Sequence, residues 1–399
     1  MESVTPDGKA LAPLPYHHDV VAYLKQHEAD IWAWAASLGV QEQHAQEIRE
    51  QLLRDSYRLT PESHPLPYRL CALAMERLGM AAPVTFYQAN DHGGGMNAML
   101  CYLPGQVHLM LQGPLLERLS EDELLALLGH ELAHHLLWSQ GEGEFLVADR
   151  ILHHSVADPA AASSHTETAR LYRLHTEVFA DRGGAIAAQA LEPPVCTLVK
   201  VQTGIASVDA AAYLQQAREL ESADTGVSRG LSHPESYLRA QALDLWWRRD
   251  AGMDDWLQRR IRGPLDLARL DLTAQARLVQ ITRDLLSHYF AEPTLRVERL
   301  LTQAREFFPD WSHEQARAPL PDLGPAVIGD SVRDYLHSVL LDLALVDAEL
   351  REPALRRALK VADELDSRAA FLKTLVRDAG LSKRELDRLT KVPARETGR

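Results

Sequence analysis

The sequence predicts a mainly helical α+β protein: a body of helices beside one small antiparallel sheet, then an all-α C-terminal region. Three observations predict it. Apolar residues recur at helical spacing along most of the 399 residues. One interval, 82–112, reads instead as strands. A segment with three prolines, 316–330, sets a last helical stretch, 331–390, apart from the rest.

Residues 1–15 are polar and proline-bearing and read as a loose tail. From about 18 to 56, Val20, Val21, Tyr23, Leu24, Ile31, Trp32 and Trp34 are spaced as on helices. "LPYRLCALAMERLGM" (66–80) predicts a helix ended by Gly79 and Pro83. "APVTFYQAN" (82–90) is strand-like, "DHGGG" (91–95) a turn, and 96–112 a hairpin about Pro104-Gly105. Ser120 with Glu123 three residues later is a capping box, so a helix starts there. Gly141 and Gly143 mark its end. Further helices fit 164–191, 207–222, 234–248 and 272–307. The resulting organisation is an N-terminal helical extension (1–65), a central domain (66–248), a helical connector (249–315) and a helical tail domain (331–390).

Composition narrows the function. Hydrophobic residues make up 46% of the chain, enough for a sizeable core. A formal net charge of -14 argues against a phosphate-binding surface, hence against nucleic acid as partner. Cys71, Cys101 and Cys196 are scattered and form no CxxC, which excludes a disulfide framework and a cysteine metal site. The N-terminal residues lack a basic region followed by an apolar run, and no apolar run reaches the ~18 residues of a membrane span. The expectation is a cytoplasmic protein without a transmembrane segment.

The informative feature is the apolar helix that carries His130-Glu131-Leu132-Ala133-His134, an HExxH pattern. Residues i and i+4 differ by ~40° around a helix, so both imidazoles face one point. Two neutral imidazole nitrogens can hold one Zn²⁺. Glu131 is rotated ~100° from His130, which puts its carboxylate beside the metal, where it can take a proton from an activated water. His135 points to another face and reads as a packing residue. A catalytic zinc needs a third protein ligand and an open position. "LHTEVFADRGGAIAAQA" (174–190) supplies Glu177 and Asp181, four apart on one helix face. Glu177 can bind the metal, and Asp181 can accept the N–H of a ligand histidine and hold its tautomer. Ala180 is small enough to let helices approach. His175 is the competing third ligand.

These motifs carry a resemblance. "LSEDELLALLGHELAHH", then "EVFAD", then "SHPESYLR" resemble the gluzincin endopeptidases typified by HtpX and the CaaX prenyl protease, over residues from about 66 to 245. The resemblance implies a gluzincin-type zinc metallopeptidase acting on protein or peptide substrates, with one zinc per chain. It implies that Asn97-Ala98 begins a strand flanking the active-site cleft, so that Asn97, Ala98 and Met99 bind an extended substrate by β-addition. His233 and Arg239 are the candidates for stabilising the oxyanion. The alternatives are that Arg239 pairs with an acidic residue such as Asp181, and that His233 reaches the open metal position. The membrane helices of HtpX and the CaaX protease are absent here.

Residues 335–376 resemble the TerB-like helical domain of tellurite resistance, with Asp347-Ala348-Glu349 where that domain has an acidic turn. A metal role for Asp347 or Glu349 is weaker than a helical bundle for protein contacts, which implies a regulatory partner bound through 331–390. The functional alternative is a catalytically silent or partner-switched zinc protein that binds peptides in its cleft. His17-His18 and His153-His154 read as surface pairs, Trp246-Trp247 as packing between domains, and Gly93–Gly95 as a flexible turn.

Overall fold

The computed structural model describes residues 11–37, 42–89, 95–103, 105–223, 226–313, 320 and 323–390. The chain forms two compact units, Met1–Arg262 and Gly263–Arg399. The first contains α1 (Pro15–His27), α2 (Ala29–Ser37), α3 (Glu42–Asp55), β1 (Ser56–Leu59), α4 (Pro65–Leu78), β2 (Val84–Ala89), β3 (Asn97–Leu103), β4 (Gln106–Gln112) and α5 (Leu115–Arg118). It continues with α6 (Glu121–Ser139), α7 (Glu144–Ala157), α8 (Ser163–Ala188), α9 (Glu192–Thr203), α10 (Ala210–Ala223), α11 (Ser236–Trp247) and α12 (Met253–Leu257). The chain is therefore mainly helical α+β, as its periodicity predicts. The tail at 1–10, Gly93, Gly94 and Pro104 lie outside the described residues.

The sheet is small, but it is mixed rather than antiparallel. Its order is β1-β2-β4-β3. β3 and β4 form the expected antiparallel hairpin, from Asn97↔Gln112 to Leu103↔Gln106. β4 also lies parallel to β2, with Val84 opposite Val107. The chain leaves β2, passes one strand position and lays down β3, and β4 returns into the gap. Burial explains the choice: Val107, His108, Leu109 and Leu111 of β4 are all buried, as a central strand requires. β3 is thereby left at the sheet edge beside α6. β1, which carries no clear strand pattern, pairs with β2 on the other side.

Helix α6 starts where the capping box predicts. The Ser120 hydroxyl accepts from Glu123 N–H, and Glu123 Oε2 accepts from Ser120 N–H at 2.8 Å. The same carboxylate pairs with buried Lys200 of α9 at 2.8 Å. The apolar residues of α6 pack mainly against α8 and α4. The α6–α8 contact is backbone on backbone. A Cβ on Gly183 would sit 2.9 Å from the Gly129 carbonyl oxygen and overlap Ala133, and one on Gly184 would sit 2.8 Å from the Ala126 carbonyl oxygen. Nearer the N-terminus of α8, α1 inserts His17, which accepts from Leu14 N–H at Nδ1 and bonds Thr176 through Nε2 at 3.2 Å. His17 is therefore a core residue, not half of a surface pair. Its neighbour His18 is exposed.

The second unit holds α13 (Leu272–Tyr289), α14 (Glu298–Phe307), α15 (Asp330–Leu345), α16 (Arg351–Glu364), α17 (Arg368–Ala379) and α18 (Lys383–Thr390). The single helix expected over 272–307 is two, because Pro293 lacks the N–H needed to continue it. Leu265, Leu285, Leu323, Ile328, Leu340 and Phe371 share one apolar core, and Leu265 bridges to Ile328. The boundary between units consequently falls after Arg262, inside the stretch read as a connector, and the described end of the proline-bearing segment packs within the second unit. The Asp347 carboxylate accepts from Glu349 and Leu350 N–H, closing the turn before α16.

Two predictions follow from this packing. Gly183→Ala forces α6 and α8 apart, so it lowers stability by about 1–3 kcal/mol in denaturant unfolding. In the second unit, His337 is fully buried and bonds Ser367 at 2.9 Å. Burial pulls it from 6.5 down to about 4. The unfolded chain therefore takes up this proton first as pH falls. The contribution is complete above about 6.5 and is lost on the way to about 4, at up to ~1.4 kcal/mol per pH unit. Amide exchange in α15, corrected for intrinsic rates, is expected to accelerate from pH 7 to pH 5, and less so in His337→Gln.

Candidate active site

One turn of α6 brings His130 and His134 to the same face, and α8 presents Glu177 and Asp181 to it. The two Nε2 atoms lie 3.3 Å apart. Glu177 Oε2 is 3.5 Å from His130 Nε2, and Oε1 is 3.7 Å from His134 Nε2. His130, His134 and Glu177 are the one group of three such ligand atoms found among the described residues, all within 4.8 Å of one another. His130 Nδ1 bonds Asp181 Oδ1 at 3.1 Å, which makes it the N–H donor and leaves the Nε2 lone pair facing Glu177 and His134. Glu177 Oε2 is buried without a hydrogen-bond partner. Ligand atoms that share a tetrahedral zinc with arms of 2.0–2.1 Å stand about 3.3–3.4 Å apart. The donor set fits a metal ion in both spacing and chemistry.

Glu131 is buried beside this group, and its Oε2 accepts from Leu100 N–H of β3 at 2.9 Å. Burial pushes its carboxyl up to about 7, against the pull of His130 and of the Leu100 N–H. Burial also takes His134 down to about 4, which keeps it neutral and able to donate a lone pair. For His130, burial is outweighed by the Asp181 hydrogen bond and the Glu177 and Asp181 charges, and it rises. Burial alone would raise Glu177 and Asp181; the Arg239 guanidinium overrides it, and both stay below the ordinary carboxylate range.

Arg239, on α11, is spent on that task. It bonds Asp181 through Nε at 2.8 Å and Nη2 at 2.6 Å, and Nη2 lies 3.2 Å from Glu177. This is the pairing alternative foreseen for it, and Arg239 also lines the cleft. His233 is half-exposed, with Nε2 3.4 Å from Glu177 Oε1 and Nδ1 2.9 Å from Ser232 Oγ. His175 is turned away: it stacks on Tyr16 at 4.4 Å and bonds the Leu171 carbonyl. His135 packs near Tyr102. Trp246 and Trp247 pack against a core of the first unit formed by Ala185, Val195, Ala210, Leu214, Ala240 and Leu243. His153 and His154 are exposed.

The site opens into a cleft of about 750 Å³. Asn97, Ala98, Met99 and Leu100 line one wall. Pro194, Thr197, Leu198 and Val201 of α9 line another, and Asp149 and Arg173 a third. Sequence reading missed α9, because Pro193-Pro194 looks like a break. Pro at the first helical turn costs nothing, and this was the available signal. It also missed the Gly129–Gly183 contact. Mid-helix glycines, Gly129 directly before His130 and Gly183 two residues after Asp181, were the clue.

Comparison with known families agrees with this geometry. Residues 71–247 match the model of peptidase family M48, described as Peptidase family M48. The matched stretch runs from α4 to the end of α11 and contains every residue of the ligand group, Glu131, Asp181, His233 and Arg239. It supports a metallopeptidase. No curated protein and no solved structure matches the chain. No helix among the described residues is long and apolar enough to cross a membrane.

The electrostatics lead to a prediction for Arg239→Ala. Two carboxylates would be left buried without their cation, at a cost of roughly 3–5 kcal/mol. Unfolding should shift by that amount, and metal content of the purified protein should drop. Arg239→Lys is expected to recover only part of both, since an ammonium cannot span the two Asp181 oxygens.

Proposed function

We propose that the protein is a zinc-dependent endopeptidase that hydrolyses peptide bonds of protein substrates. The observation that carries the reading is the convergence of His130, His134 and Glu177 with the Glu131 carboxylate beside them, in a cleft walled by a sheet edge.

In this reading His130, His134 and Glu177 hold the zinc. A zinc ion there supplies Lewis acidity, polarising a carbonyl and acidifying water. Asp181 keeps His130 in the tautomer that offers Nε2. Arg239 holds Asp181 and Glu177 ionised and in place, and so acts as a positioning residue. Glu131 is the general base: its carboxyl, raised by burial toward neutrality, can take a proton from water and return it to the leaving amine. His233, half-exposed with Nε2 3.4 Å from Glu177, hydrogen-bonds the developing oxyanion in this reading. An extended peptide lies along Asn97, Ala98 and Met99 at the outer edge of β3, with the outward backbone groups of Ala98 as its hydrogen-bond partners and Asn97 and Met99 as flanking wall.

We further read the helices of 331–390 as the docking part for a regulatory protein, on their TerB-like pattern, and the protein as cytoplasmic.

The test pairs wild type with Glu131→Gln. Both are expected to contain zinc by elemental analysis. Cleavage of casein is expected in wild type and to be roughly 10²–10⁴-fold slower in the variant. Zinc in both with cleavage in neither returns the site to peptide binding without catalysis. Zinc in neither overturns the ligand assignment.

A further inference from the structure

Glu131 is 6% exposed, and a buried carboxylate needs a partner. Among the described residues it accepts one hydrogen bond, from the backbone N–H of Leu100 at 2.9 Å. That donor is not an ordinary loop amide. Leu100 lies in β3, whose one neighbour in the sheet is β4. In an antiparallel pair, residues alternate between those that exchange both bonds with the partner and those whose N–H and C=O face away. Leu103↔Gln106 closes the hairpin, and Leu100 is three residues back from Leu103. Leu100 belongs to the outward set, with Ala98 and Tyr102.

The outward N–H and C=O groups of an edge strand are what an added peptide strand would bond. One of them is already taken by Glu131. We infer that the Leu100 N–H is a positioning group for Glu131, so that the strand receiving the substrate also aims the base. This deepens the peptidase reading and rests on it. A charge-assisted bond to one carboxylate oxygen restrains the rotation of the carboxyl group and leaves its other oxygen, Oε1, outside that bond, on a residue that lines the cleft. It also sets the substrate's register. The peptide ladder must use both groups of Ala98 and the carbonyl of Leu100, and skip the Leu100 N–H.

The consequence is a split between two neighbouring positions on one edge. Proline removes an N–H, and edge positions whose N–H faces away from the sheet are where strands accept it. Ala98→Pro deletes a ladder donor and is expected to raise KM about fivefold with kcat little changed. Leu100→Pro deletes the positioning donor and is expected to lower kcat about 10²-fold with KM little changed and zinc content intact. If Leu100→Pro instead raises KM at constant kcat, as Ala98→Pro does, its N–H belongs to the substrate and the inference fails.

Hydrogen exchange gives a second reading that needs neither proline variant nor catalysis. The Leu100 amide is expected to exchange more slowly than the outward amides of Ala98 and Tyr102 in wild type, and at their rate in Glu131→Ala. Equal rates in the two proteins would overturn the hydrogen bond. A zinc-loaded wild type that cleaves nothing would instead remove the peptidase reading, while the exchange comparison still decides the contact.

Discussion

The site depends on how closely α6 and α8 approach. Gly129, Gly183 and Gly184 let backbone meet backbone, the Ala126 carbonyl included, with Ala133 and Ala187 as neighbouring side chains. At that separation a carboxylate as short as Asp181 reaches His130 Nδ1, and Glu177 comes within 3.7 Å of both histidine Nε2 atoms. A wider interface filled by leucines would leave the same four residues on the same helix faces and out of one another's reach.

Close approach creates an electrostatic difficulty. Glu131, Glu177 and Asp181 are all buried near one another, and burial favours their neutral forms. A third helix resolves it for two of them. Arg239 comes in from α11 and bonds Asp181 with two nitrogens while lying against Glu177. Glu131 lies in the same buried surroundings but is held by a neutral amide, and its carboxyl stays raised. Two carboxylates, Glu177 and Asp181, are held below the ordinary carboxylate range, and the third is held above it. One cluster thus yields two chemistries because its cation is bonded to one side only.

The rest of the first unit steadies this arrangement. The neutral His17 of α1 bonds Thr176, on the turn that also carries Glu177. Lys200 of α9 ties the capping box at the start of α6 to the wall of the cleft. On the open side, the mixed sheet leaves β3 at an edge, and the same strand touches Glu131. The edge strand that walls the cleft and the buried Glu131 are therefore linked through one backbone amide.

The sequence by itself determined what lies within one helical turn. The HExxH spacing, the pairing of Glu177 with Asp181, the capping box at Ser120 and the mainly helical class all follow from i, i+3 and i+4 geometry, which is independent of the remainder of the chain. The tertiary structure decided whatever depends on distance between elements. It placed β4 between β2 and β3, gave Arg239 to the carboxylates, and buried His17. It also added α9 to the cleft and aimed Leu100 at Glu131. Each of these needs two segments to meet, and meeting is set by packing: small residues at a helix crossing, an apolar strand drawn to the centre of a sheet, a buried charge drawn to its opposite. No spacing along the chain encodes those distances.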